Sequence, residues 1–343
     1  MAARKIPGWP PAILTPVPAA DIKRGDGPLV AEFIEALCPQ VKDSVGGRAG
    51  EPLLLRPWQR KLMDHLFARR ADKRLRHKVG LVGLSRKNGK SALGSGIALY
   101  GLFMGPRGGE VYSCAADREQ ARIVFGSAKQ MVEMSPELSE QAKLYRDAIE
   151  IPATGSVYRV LSSEAFTKEG LSPTLVVYDE LHAAPNRELW DVMTLAQAAR
   201  YDALTLAITT AGVRTDSTGQ DSVCYGLYQY AQRVAAGEVE DSSFFGAWWQ
   251  AEPDCDHRDP KNWKIANPGY GDIQDPEDFE SSVKRTPEAE FRTKRTNVFV
   301  SSQQAWLPHG TWDELPKMAP LEDRVPVVLG FDGSFSGDTT AIV

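Results

Sequence analysis

Residues 78–104 put three signals in a row that few folds accommodate: a short apolar run (KVGLVGLS), a loop ending in Gly89-Lys90-Ser91, and a helix-length segment (SALGSGIALYGLFM). A buried strand turning tightly into a helix directs backbone N–H groups and the positive end of the helix dipole at one point, the arrangement that holds a phosphate. Lys90 would then reach the outer phosphates and the Ser91 hydroxyl a magnesium ion. The spacing departs from G-x-x-x-x-G-K-[ST], because position 84 is Leu84, the preceding glycine is Gly83, and the basic pair Arg86–Lys87 stands in the loop.

Strand and helix signals alternate around this unit. Helices are predicted over 28–40, 53–71 (opened by Pro57), 118–134, 187–200 and 219–236, strand-like runs over 110–116, 174–180 and 203–212, and a hairpin over 148–163. Such alternation predicts an α/β fold, a mostly parallel sheet covered by helices, with ligands bound beyond the carboxyl ends of the strands. Residues 1–27 are rich in proline and small residues and read as an extended N-terminal arm. The expected division is a nucleotide-binding domain over 28–243, a tryptophan-rich, Pro-punctuated lid and linker over 244–322, and the opening strands of a further domain, its remainder missing, over 323–343.

Other residues join the phosphate loop as candidates. In LVVYDELHAAP a buried strand delivers Asp179, suited to a magnesium water shell, and Glu180, suited to polarising an attacking water. In AITTAG, Thr209 and Thr210 end a buried strand where hydroxyls can sense a γ-phosphate; β-branched residues doing what they do in strands is the plainer alternative. Gln59, in RPWQ, carries an amide able to donate and accept against an adenine edge. Asp332 leaves a buried strand in GFDGSFSGDTTAIV, a usual place for a ligand of a two-metal nuclease, and Asp338 follows the turn.

Composition narrows the field. A net charge of −5 leaves only local patches for nucleic-acid contact. The four cysteines show no CxxC spacing, and Cys255 with His257 in PDCDHRD reads as a polar surface loop rather than a metal site. No apolar run approaches the ~18 residues of a membrane span, and the N-terminus lacks a charged-then-apolar signal pattern.

In the order RPWQ, SRKNGKS, LVVYDELHAAP, AITTAG, ANPGYGDI, GFDGSFSGDTTAIV, the chain resembles the large terminase subunit of tailed bacteriophages from about residue 28 onward. That family has deviant phosphate loops without the first glycine and with a basic residue before the GK. The resemblance implies a P-loop NTPase of the ASCE/RecA-like kind, a lid subdomain containing ANPG, and the first strands of a ribonuclease H-like nuclease domain. It implies ATP and Mg²⁺ as cofactors, with Ser85, Arg86, Lys87, Asn88, Gly89, Lys90 and Ser91 around the phosphates and Arg86 in direct phosphate contact. Asp179 would support the metal, Glu180 act as catalytic base, Thr209 and Thr210 couple hydrolysis to movement, Gln59 read adenine, and Asp332 bind a nuclease-site metal pair in a full-length protein. It further implies a ring oligomer in the host cytoplasm, docked on a procapsid through a portal protein, with a small terminase subunit and double-stranded DNA as partners. Arg200 and Lys168 are candidates for an arginine-finger role in trans. Two other readings stay open: a superfamily 2 helicase, from the DExH-like Asp179–Glu180–Leu181–His182, and a nucleotide switch or DNA-binding scaffold that does not hydrolyse.

Overall fold

In the computed structural model, residues 6–161, 170–216 and 218–301 are described in full, with the backbone of 331–332 and 341–342. Two compact units divide the chain, Met1–Trp306 and Leu307–Val343. Elements of the first run in the order β1 (Ile13–Leu14), α1 (Ala19–Arg24), α2 (Gly27–Leu37), α3 (Pro57–Leu66), β2 (Val79–Gly83), α4 (Lys90–Phe103), β3 (Glu110–Cys114), α5 (Arg118–Met134) and α6 (Pro136–Ser139). There follow β4 (Lys143–Leu144), β5 (Ala148–Ile151), β6 (Ser156–Leu161), β7 (Leu175–Asp179), α7 (Glu188–Leu195), β8 (Leu204–Thr209), α8 (Val223–Ala235), β9 (Phe244–Trp248), α9 (Pro260–Ala266), α10 (Pro276–Ser282) and α11 (Glu288–Phe291).

One nine-stranded sheet carries the unit, in the order β1-β9-β2-β8-β7-β3-β6-β5-β4. The strands from β9 to β6 pair in parallel, whereas β1 on one edge and β5 and β4 on the other run antiparallel. Parallel strands need helical crossovers, so both faces are covered and the strands read as continuous apolar runs. Every residue of β7, β8 and β9 is buried. The period of two sorts their side chains: Leu175 and Val177 of β7 face a core shared with α2 to α5, whereas Val176 and Tyr178 face one shared with α7 and α8.

Local chemistry sets the helix starts. Pro57 occupies the first turn of α3, where no N–H partner is needed, and Asp117 caps α5 by accepting from Gln120 N at 2.8 Å. No helix among the described residues is long and apolar enough to cross a membrane.

Two expectations change. Residues 1–27 are not simply an arm: Ile13 and Leu14 add an edge strand to β9, α1 follows, and the Trp249 indole donates to Gly8 O at 2.7 Å. A two-residue strand is too short to leave a periodic signal. The tryptophan-rich stretch does not begin a separate lid at residue 244, because FFGAW is strand β9 of the main sheet, paired in parallel with β2 and buried along its whole length. In the second unit, Phe331–Asp332 (β10) pairs antiparallel with Ala341–Ile342 (β11), the strand pair expected there. Asp338 and Lys168 lie outside the described residues.

Candidate functional site

The register brings the candidates together at the carboxyl ends of three adjacent strands. Gly83 of β2 lies opposite Thr209 of β8, and Ile208 of β8 opposite Asp179 of β7. An open cleft of about 1290 Å³ lies beyond these ends, lined by Gln59, Arg86, Lys87, Gly89, Lys90, Ser91, Glu180 and His182 among others.

The displaced glycine has a packing role. A Cβ on Gly83 would stand 2.0 Å from Cε3 of Trp248 on the neighbouring strand, so the indole of β9 occupies the space a side chain would need. Leu84, where the usual first loop glycine falls, is fully buried in the core. The loop then turns through positive φ at Lys87 (69°) and at Gly89 (77°), which caps α4 in the left-handed conformation that glycine adopts freely.

Lys90 is only 6% exposed. Its ammonium folds onto the loop, donating to the carbonyls of Leu84 (3.1 Å) and Ser85 (3.2 Å), and lies 3.8 Å from Glu180 Oε1. Burial lowers its pKa; the charges of Glu180 and Asp179 oppose that shift. Arg86 and Lys87 are exposed at the cleft, while the Arg86 backbone is held at both ends, N–H to Lys294 O (2.9 Å) and carbonyl from Gln274 Nε2 (2.8 Å).

Ser85 and Asn88, expected to bind nucleotide, turn their side chains inward instead. Asn88 is fully buried, donating to Ser85 Oγ (2.7 Å) and Asn267 Oδ1 (3.0 Å) and accepting from Gly269 N (3.1 Å); Ser85 Oγ also donates to Asn267 Oδ1. They latch the phosphate loop to ANPG, since amide and hydroxyl groups this buried must find partners. Gln59 reaches the cleft but is 6% exposed, and its Oε1 accepts from Arg56 N (2.9 Å) in a capping box on α3, so one of its two acceptor positions is already taken.

The acids sit differently. Asp179 is 5% exposed; burial, then repulsion from Glu180, pushes its carboxyl from 3.8 up to about 7 against the pull of Lys90, Glu180 N and Ser91. Glu180 follows β7 in a left-handed backbone conformation (φ 50°, ψ 49°), its N–H held by Ile208 O at 3.0 Å, which swings the side chain to the cleft. Burial alone would raise its pKa, but the bond from His182 and then the charge of Lys90 outweigh it and hold the carboxylate at about 2. Thr210 Oγ1 donates to Glu180 Oε2 (3.3 Å), and Thr209 Oγ1 accepts from His182 N (3.0 Å). Both threonines are fully buried, so they touch the acid and its histidine, not the open cleft.

His182 is therefore a site residue that the sequence reading passed over except as a letter of a motif. Nδ1 stands 3.1 Å from Glu180 Oε2, Nε2 stands 3.2 Å from Lys294 Nζ, and burial lowers its pKa. The Arg200 guanidinium is bonded to Ser172 O (3.1 Å), Ser172 Oγ (2.9 Å) and Gly108 O (3.1 Å).

A divalent cation fits beside this pair. Ser91 and Asp179, joined by a side-chain hydrogen bond, offer only oxygen, as a hard cation prefers, and Asp179 is buried where its carboxylate gains from a cation beside it. Among the described residues no group of three or more His, Cys, Asp or Glu gathers into a metal cluster by itself; in the turn at PDCDHRD, where Asp254, Asp256 and Arg258 are exposed, His257 is tucked in with Nδ1 3.4 Å from Glu288 Oε1.

A strand–loop–helix phosphate cradle beside an acidic strand, on a parallel sheet, defines a P-loop nucleoside triphosphatase. The profile of terminase large subunit ATPase domains matches residues 57–233 and that of terminase large subunit endonuclease domains residues 238–343; the chain belongs to the terminase large subunit family. It is 28% identical over 330 residues to the terminase large subunit of Enterobacteria phage HK97, covering 92% of this chain and 62% of that protein. The terminase large subunit of Lactococcus phage p2 is 24% identical over 200 residues, covering 56% of this chain and 35% of the relative. The crystal structure of the HK97 bacteriophage large terminase superposes with a TM-score of 0.66 at 26% identity, over 80% of this chain and 55% of that one. The chain thus spans less than two thirds of these relatives. The helicase reading is not favoured.

Proposed function

We propose that this chain is the ATP-hydrolysing part of a motor that moves double-stranded viral DNA into a procapsid. The observation that carries the reading is the convergence of the Lys90 ammonium and the Glu180 carboxylate, 3.8 Å apart, at the mouth of the phosphate loop. ATP phosphates would lie against the loop and the first turn of α4, with Lys90 leaving the carbonyls of Leu84 and Ser85 for the β/γ-phosphates and Arg86 reaching them from the rim. Ser91 and Asp179 would hold magnesium, which when bound neutralises charge developing on the phosphate oxygens. A carboxylate held near 2 is a weak proton sink but a firm acceptor, so Glu180 orients and polarises the attacking water. Thr210 and Thr209, bonded to Glu180 and to His182, are where loss of the γ-phosphate would be felt by β8.

Membership in the terminase family supports, as proposed partners, double-stranded DNA, a small terminase subunit, a portal protein and further copies of the chain in a ring, with the host cytoplasm as the proposed compartment. With a net charge of −5, the grip on DNA would come from local basic patches on phosphates and weaken with salt. Asp332 would be a ligand of the divalent metal pair of a nuclease domain. The test is steady-state Mg-ATP turnover of wild type and Glu180→Ala with ATP affinity, with and without double-stranded DNA. Wild type is expected to turn over faster with DNA, and Glu180→Ala to bind ATP but turn it over at least ~100-fold more slowly. Equal turnover by the two proteins would remove Glu180 from the mechanism.

A further inference from the structure

Residues Arg292–Thr296 form a π-helical turn, a rare conformation that recurs at functional sites. No residue nominated from the sequence belongs to it, yet it reaches three parts of the site, and the residue after it a fourth. Lys294 O accepts from Arg86 N in the phosphate loop (2.9 Å), and Arg295 O accepts from Asn267 Nδ2 of the latch (2.7 Å). Lys294 Nζ lies 3.2 Å from His182 Nε2. Just beyond the turn, Asn297 Oδ1 accepts from Ala211 N (2.7 Å), immediately after the two buried threonines of AITTAG.

The contact between Lys294 and His182 has a fixed sense. An ammonium only donates, so Nε2 of His182 must accept and the ring proton must sit on Nδ1. From there it donates to Glu180 Oε2 (3.1 Å), with Thr209 and Thr210 Oγ1 each at 3.2 Å. Thr210 adds its own hydroxyl to Glu180 Oε2, so one carboxylate oxygen is anchored while Oε1 faces Lys90. We infer that Lys294 and His182 are positioning residues for hydrolysis: Lys294 on Nε2 reinforces the Nδ1–H tautomer that the Glu180 carboxylate also favours and fixes the ring, and His182 holds the Glu180 carboxylate aimed at the water to be activated. Because the same lysine is bonded through its backbone to the phosphate loop, a shift of that loop would move the π turn and release or seat Glu180. The inference rests on the reading of Glu180 as the water-orienting acid.

The experiment compares Mg-ATP turnover and ATP affinity of wild type, Lys294→Met, His182→Ala, His182→Gln, the Lys294→Met/His182→Ala pair and Glu180→Gln. Lys294→Met and His182→Ala are each expected to lower kcat by about 10- to 100-fold, the loss that a misplaced catalytic group brings, with ATP affinity within about twofold of wild type. The pair should be no slower than its slower member, because the two act in series. His182→Gln, whose amide can accept and donate, should keep more activity than His182→Ala. Wild-type kcat in Lys294→Met, or losses that multiply in the pair, would overturn the relay while leaving Glu180 untouched. A fully active Glu180→Gln would instead overturn the parent reading. Ring ¹⁵N spectra read the tautomer without turnover. The His182 signal, identified among five histidines by its absence in His182→Gln, should show Nδ1–H in wild type and a weakened Nδ1–H preference in Lys294→Met, where Glu180 alone still favours it. An Nε2–H tautomer in wild type would refute the relay.

Discussion

Replacing Gly83 with alanine separates two meanings of a glycine near a phosphate loop. The added Cβ would meet Trp248 at 2.0 Å from Cε3, 2.1 Å from Cδ2 and 2.5 Å from Cζ3, well inside van der Waals contact. The indole has no open space to enter: it is fully buried, packs against Phe299 and Tyr228 at centroid distances of 5.3 and 5.0 Å, and donates from Nε1 to Asn297 O at 3.2 Å. Overpacking of this kind costs about 1–3 kcal/mol, and a displaced indole that leaves its buried N–H unpaired adds about 1–3 more. Gly83→Ala is therefore expected to lose roughly 2–6 kcal/mol in urea denaturation, and Gly83→Ala/Trp248→Leu, which frees the volume, less than the two single losses added together. A loss under ~1 kcal/mol together with weakened ATP binding would refute the packing argument and return Gly83 to the phosphate site.

Three further outcomes follow from the same geometry. Asn88→Ala strips the partner from the buried Gly269 N–H and should cost about 2–3 kcal/mol in denaturant; a near-neutral change would mean that the latch is not formed. His77, buried with Nδ1 on Leu66 O at 3.0 Å, has its pKa pushed by burial from 6.5 down to about 4. Between those values the unfolded chain binds more protons than the fold, so stability is full above pH 6.5 and falls by about 3 kcal/mol as the pH drops to 4, a slope that His77→Gln should flatten in pH-dependent unfolding. Thr210→Val removes the hydroxyl from Glu180 and should slow Mg-ATP turnover about tenfold, the loss of one hydrogen bond to a charged group; unchanged turnover would detach the threonine from the acid.

Much of this architecture could be read from residue order, and the failures have physical causes. The runs KVGLVG, LVVYD and LTLAIT are buried on both faces and so legible as parallel strands; the helices around them carry their own period and caps. FFGAW is a strand of the same kind, but its aromatic residues and the proline-rich stretch after it resemble irregular chain, and only pairing with β2 makes it part of the main sheet. Ser85 and Asn88 have the chemistry of phosphate ligands. Their direction is decided by Asn267 and Gly269, far along the chain, which no local pattern reveals. His182 was visible as the last letter of DELH, but its place beside Glu180 becomes chemistry only through Lys294, 112 residues away. Contacts at such separation are tertiary facts.

The central claim, that Leu84 to Ser91 hold a triphosphate which Glu180 helps to cleave, is tested most directly by identifying the nucleotide retained after mixing with Mg-ATP. Wild type should carry ADP, whereas Glu180→Gln should carry intact ATP at comparable occupancy and Lys90→Ala should carry neither. ADP on Glu180→Gln at the wild-type rate, or full ATP occupancy of Lys90→Ala, would contradict the account.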